Sequence, residues 1–429
     1  MKRITILSFV SLILLFQTIV IVGCQTSNTY VIHEEINERP ETELINFDDM
    51  KRFDNVYVIF EEESKIIDEN FTELPSLNKG YNPFQIDLRS QDLQHFDLGN
   101  YEDELDASIF DTNTVWPREI PVDFDPSLIL ELGKEPGLGI RELHRNGITG
   151  KGVNVAIFDT ALYARHESYS ENIKTYEMIN CLDDSSHMHG SLVTSLFVGD
   201  STGVAPDAEV HYIAMTFGDF LETGPEKNLN YLVQGIDRVL EVNSHLSTDE
   251  QIKVISISTG IDKGTKGYNN FLSAVDRASN EGVFVLTCTP ETNFDLRLGG
   301  LARDSMSDPN TVESYELGSL PSLTFRNKND IDYTSFLLVP MDNRTSANCT
   351  GDEDYQYFNV GGNSNIVPWI AGLYALCLQV DSELNIDDFI DLAYETAYDV
   401  ELNNSYYEKI NTKIINPKKL ISYLIENKN

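Results

Sequence analysis

From Pro136 onward the apolar positions switch between two periods, and the switching predicts alternating strands and helices. Val153 to Phe158, entered through Gly152, reads as a buried strand. Leu192, Val193, Leu196 and Phe197 fall on one face of a helix that begins near His189. Glu209 to Met215 reads as a strand, Leu229 to Leu240 as a helix and Val254 to Ser258 as a strand. Phe271 to Asn280, closed by Gly282, is the next helix, and Val283 to Thr287 the next strand. Three further helices are expected at Ile366 to Gln379, Ile386 to Tyr398 and Pro417 to Leu424. This order is the pattern of an α/β domain: a doubly wound, mostly parallel sheet with helices on both faces.

Upstream the texture is different. Lys2 and Arg3 precede an apolar run from Ile4 to Val22, which reads as an export signal. The run ends in Ile21-Val22-Gly23-Cys24, which resembles the lipoprotein box of bacteria. That resemblance implies cleavage after residue 23, a lipidated Cys24 and an extracytoplasmic protein anchored to the bacterial cell membrane. Several acyl chains, at about 0.8 kcal/mol per buried CH₂, make a lasting tether. Residues 24–135 then form an acidic extension or spacer with 27 acidic against 8 basic side chains, and residues 136–429 are the expected main domain. Within the extension, Asp87-Leu88, Asp92-Leu93 and Asp97-Leu98 recur every five residues, as either a short coil or a chance run.

Composition narrows the partners. With 31 Lys and Arg against 69 Asp and Glu in 429 residues, the formal charge is −38. Nucleic acid is therefore not an expected partner, and basic or neutral peptides are favoured over acidic ones by the overall field. Cys24, Cys181, Cys288, Cys349 and Cys377 form no C-x-x-C pair, and no His/Cys group has zinc-site spacing. His187 and His189 lack a third ligand nearby, so His187 reads as a solvated neighbour and no metal is assigned.

Three separated segments carry the candidate chemistry. Asp159 follows the strand Val153 to Phe158 at its carboxyl end, where parallel sheets place functional groups. His189 starts a helix. Ser364 follows Gly361-Gly362-Asn363 and opens another helix, whose backbone N–H groups favour developing negative charge. In their neighbourhoods and order, these segments resemble the subtilisin-like serine proteases, the subtilases. The resemblance is carried by Ala156-Ile157-Phe158-Asp159-Thr160-Ala161, by His189-Gly190-Ser191-Leu192-Val193-Thr194 and by Gly203-Val204-Ala205-Pro206-Asp207-Ala208. It is carried also by Gly362-Asn363-Ser364-Asn365-Ile366-Val367-Pro368-Trp369-Ile370-Ala371-Gly372.

The resemblance implies a serine endopeptidase in which Asp159, His189 and Ser364 form a triad that hydrolyses peptide bonds through an acyl-enzyme. It further implies that Ser258, Thr259 and Gly260 bind substrate as an added strand. For the oxyanion the family uses an Asn after a buried strand. A gap-free alignment puts Glu291 there, Asn293 is the candidate donor two residues on, and Asn363 is a weaker one. No cofactor is implied. Subtilases often bind calcium, but no D-x-D-x-D-G loop occurs and no ligands are assigned. The alternative is a catalytically silent subtilase-like fold that binds a peptide or partner protein at the cell surface.

Overall fold

Alternate residues of one strand enter two different cores. Val155 and Ile157 pack into one apolar cluster, Ala156 and Phe158 into a second on the opposite face of the sheet, as the two-residue period of a strand requires. The computed structural model describes residues 45–46, 86–221, 224–293, 296–319, 333–403 and 409–427. The expected signal segment 1–23 and Cys24 lie outside these residues.

In chain order the strands are β1 (Ile45–Asn46), β2 (Ile86–Asp87), β3 (Ser108–Asp111), β4 (Asn154–Asp159), β5 (Ile173–Met178) and β6 (Glu209–Ala214). They continue with β7 (Gly218–Leu221), β8 (Gly224–Lys227), β9 (Ile252–Ile257), β10 (Phe284–Thr287), β11 (Leu298–Arg303) and β12 (Tyr315–Leu317). The last are β13 (Leu337–Pro340), β14 (Arg344–Ala347), β15 (Tyr355–Phe358), β16 (Tyr398–Leu402) and β17 (Ile410–Ile414). The main sheet has the order β1-β5-β6-β4-β9-β10 and is parallel except for β1 against β5. The chain winds outward from β4 to β5 and β6, then crosses to β9 and β10. The carboxyl end of β4 is therefore where the winding reverses, the usual position of a ligand crevice.

Helices α1 (Glu102–Asp106), α2 (Pro126–Lys134) and α3 (Ile140–Arg145) precede the main sheet. Helices α4 (Met188–Val198) and α7 (Asn363–Val380) share one core, and α5 (Asn230–Asn243) with α6 (Tyr268–Asn280) share the other. This is the doubly wound α/β arrangement. Helix α8 (Ile386–Thr396) ends earlier than its apolar pattern suggests, because Tyr398–Leu402 becomes β16 and pairs antiparallel with β17. The chain ends its described part in α9 (Pro417–Asn427).

Residues 86–135 are built into the same unit as the main domain, which spans Leu44–Asn429. Strand β3 pairs with β15, and the sheet order β14-β15-β3-β2 joins the two segments. The five-residue period is a real coil. Leu88, Leu93 and Leu98 are fully buried, and their N–H groups donate to Ile109, Val115 and Glu119 of the neighbouring segment. Asp87, Asp92 and Asp97 each accept the backbone N–H two residues on, an Asx turn repeated three times. A second segment running alongside supplies the pairing that three turns alone could not.

Candidate active site

Asp159 closes β4 fully buried, and its Oδ1 accepts from His189 Nδ1 at 2.7 Å. The same oxygen accepts the backbone N–H of Thr160 at 2.8 Å and its hydroxyl at 3.1 Å. These bonds fix the carboxylate and assign the Nδ1 proton, leaving Nε2 as the nitrogen for proton exchange. Burial alone would lower the His189 pKa, but the Asp159 charge and hydrogen bond together raise it above its ordinary value.

His189 is placed by its own helix. His187 is the N-cap of α4, and its Nδ1 accepts the His189 N–H at 3.1 Å. Burial, with the His189 charge added, lowers the His187 pKa, which favours the neutral ring that a cap acceptor needs. The solvated role expected for His187 is thus replaced by a capping role. Gly190 is required by close approach. A Cβ there would lie 2.6 Å from Tyr212 Oη and 2.8 Å from the Thr160 carbonyl.

Ser364 is the second residue of α7, whose N-cap Gly362 offers no side chain to the free N–H groups of the first turn. The loop before it is pinned from below. Buried Asp342 accepts the Gly361 N–H at 2.7 Å and binds Ser319 through its other oxygen, and burial pushes its pKa up to about 7. Asn365, where the resembled pattern has Met, is buried and donates to the Met341 carbonyl at 3.0 Å. Ser364 Oγ donates to the Ser258 carbonyl at 3.3 Å, and Ser258 Oγ donates to the Ser364 carbonyl at 3.0 Å. Among the described residues no hydrogen bond joins Ser364 to His189.

The segment Ser258, Thr259 and Gly260 continues β9 past its ladder with β4, which ends at Phe158 with Ile257. On its other side Cys288 N–H donates to the Thr259 carbonyl at 3.0 Å. Asn293 lies nearby but is committed: its Nδ2 donates to the Thr287 carbonyl at 2.7 Å and its Oδ1 accepts the Thr287 N–H at 2.9 Å. It acts as a side-chain substitute for a neighbouring strand at the end of β10. Asn363 is exposed at the start of α7. Among the described residues no disulfide joins Cys181, Cys288, Cys349 and Cys377. Among the described residues no group of three His, Cys, Asp or Glu could hold a metal ion, and no helix is long and apolar enough to cross a membrane.

A parallel α/β sheet thus carries a carboxylate–imidazole pair at its carboxyl edge, with Ser364 at the start of α7. Residues 150–317 match the model of the subtilase family. It is similar to the serine protease AprX of Bacillus subtilis (strain 168), 25% identical over 288 residues, covering 59% of this chain and 63% of that protein. A thermostable alkaline protease of Halalkalibacterium halodurans is 23% identical over 251 residues, covering 56% of this chain and 60% of that protein. The matches thus span less than two thirds of either relative. Among solved structures, the prenylagaramide maturation protease PagA has a TM-score of 0.45 at 16% identity, covering 67% of this chain and 98% of its own. The subtilase cytotoxin SubAB structure has a TM-score of 0.47 at 15% identity, covering 70% and 97%.

Sequence reasoning missed the capping role of His187, the loop anchor Asp342 and the cation Lys227 described below. The first was adjacent to the catalytic candidate and legible as an N-cap position. The other two come from distant segments and carry no local signal.

Proposed function

We propose that this protein is a serine endopeptidase of peptide or protein substrates, exported and held at the membrane surface by lipidated Cys24. The observation that supports the catalytic reading is the 2.7 Å contact of buried Asp159 with His189 Nδ1, at the sheet edge that also carries Ser258 beside Ser364. His189 Nε2 takes the Ser364 proton as Oγ attacks the carbonyl, forming the acyl-enzyme and passing that proton to the leaving amine. Water then attacks the acyl group by the same route in reverse. For this the Ser364 hydroxyl must rotate from the Ser258 carbonyl toward His189, a change that substrate binding commonly brings about. The free N–H groups at the start of α7 are the donors offered to the oxyanion, and Asn293 would join them only by releasing Thr287.

A fluorophosphonate probe tests the reading. Labelling of the wild type that is lost in Ser364→Ala is expected, and a folded wild type that takes no label would leave only a peptide-binding fold. For the anchor, radiolabelled palmitate incorporated in a bacterial host should vanish in Cys24→Ala; unchanged incorporation overturns the lipid assignment.

A further inference from the structure

Lys227 ends β8, and its ammonium reaches the segment after β9, donating to Thr259 Oγ1 at 2.7 Å and to the Gly260 carbonyl at 2.5 Å. Both acceptors are neutral, while an ammonium carries three donors. Among the described residues Lys227 has no ion-pair partner; burial lowers its pKa, and the Asp262 carboxylate opposes this only through space. A largely desolvated cation satisfied by neutral oxygens is costly, and an arriving carboxylate relieves that cost.

Its position gives the cation a use. Ser258 exchanges hydrogen bonds with Ser364, so Thr259 and Gly260 stand one and two residues further along. At about 3.3 Å per residue, the ammonium lies within about two residues of a carbonyl presented to Ser364. Because the ladder from β9 to β4 ends at Ile257, an extended peptide can pair along Ser258 to Gly260 beside this charge. The net charge of −38 repels acidic peptides at long range, but the field is screened beyond about 8 Å in physiological salt. Contact chemistry then decides.

We propose that Lys227 is a specificity-determining residue whose ammonium binds the carboxylate of an Asp or Glu side chain within two residues of the cleaved bond. The position of that bond rests on Ser364 being the nucleophile; the ligand chemistry rests on Lys227 alone.

The test separates the two. Full-length Ser364→Ala is titrated with nine-residue peptides in which one Glu, or one Gln, is scanned through a neutral sequence. Glu at one or two adjacent positions should bind about tenfold or more tightly than Gln. The gap should close in Ser364→Ala/Lys227→Gln, which keeps N–H donors for Thr259 and Gly260, and persist in Ser364→Ala/Lys227→Arg. Equal affinity at every position, or a Glu preference that survives loss of the charge, overturns the proposal. Should the Gln variant fail to fold, the Glu–Gln gap of the Lys227 protein is read instead at low and high salt. A gap that narrows with salt supports the cation, and one that does not overturns it. In the wild type, cleavage should fall within two residues of the preferred Glu. If Ser364 takes no fluorophosphonate while binding still discriminates, the catalytic reading fails and Lys227 stands.

Discussion

Ser258 Oγ donates to the backbone carbonyl of Ser364 at 3.0 Å, across 106 residues of sequence. The reason lies one helical turn beyond Ser364. Pro368 sits inside α7 and has no N–H to give the carbonyl four residues before it. A buried carbonyl without a donor is costly, and Ser258 supplies the missing bond. The residue that opens the proposed substrate segment therefore also anchors the backbone of Ser364, the proposed nucleophile.

That coupling is measurable by a double-mutant cycle. Ser258→Ala should cost about 1–3 kcal/mol of unfolding free energy in the Pro368 background. In Pro368→Ala the helix can donate for itself, so the cost of Ser258→Ala should shrink by at least about 0.5 kcal/mol. Denaturant titration of the four proteins checks this, and strict additivity would contradict it.

The raised pKa of His189 sets the acid limb of activity. A protonated imidazole cannot accept the Ser364 proton, so kcat/KM should fall as pH drops through a value above the ordinary 6.5. Asp159→Asn removes the charge that raises it. The limb should move down in pH, and activity should drop on the order of 10⁴-fold, the loss this change causes in a serine-protease triad. A pH–rate profile with a fluorogenic peptide reads both.

Gly190→Ala places a methyl group against Tyr212 Oη and the Thr160 carbonyl, which are themselves hydrogen-bonded at 2.5 Å. Neither neighbour is a flexible chain end. The start of α4 must shift, and His189 with it. Activity should fall about 100-fold or more, because displacements near 1 Å at a reacting group have that cost. A melting scan should show reduced stability at the same time.

His211 makes the fold acid-sensitive. Burial first, and the Lys174 charge second, lower its pKa to about 4 in the folded protein. Above pH 6.5 it is neutral whether folded or unfolded. As pH falls from 6.5 toward 4, the unfolded chain takes up a proton that the folded one refuses, so stability is lost through that window by up to about 3 kcal/mol. In His211→Gln the unfolding midpoint should depend less on pH between 6.5 and 4.

The coil of residues 86–98 should prove part of the global folding unit. Leu93 is fully buried in a cluster with Leu88, Leu98, Phe110 and Tyr357. Leu93→Ala should therefore lower the main unfolding transition, by about 2–5 kcal/mol. A separate early transition with the main one unchanged would show the segment to be independent.

Much of the candidate site was legible because its signals are local. The period change from β4 into α4 and the hydroxyl at the start of α7 are written in windows of ten to twenty residues, as is the pairing of each with a glycine. The small sheets were not legible: β16 continues an amphipathic helical pattern into Tyr398, and only pairing with β17 makes it a strand. Asn293 shows the same limit at the site. Its type suggested a free amide, but the outer edge of β10 at Thr287 holds both its polar atoms.

The sequence by itself determined which residue types can pass a proton, which strands are buried on both faces, and in which order they come. Those properties follow from side-chain chemistry and from periods of two and 3.6, and they need no partner. Only the tertiary structure decided that Asp342 holds the loop before Ser364, that Ser258 replaces the donor Pro368 lacks, and that Lys227 stands over Thr259 and Gly260. Each joins segments far apart in the chain, where a hydrogen bond depends on distances of about 3 Å that no local pattern encodes.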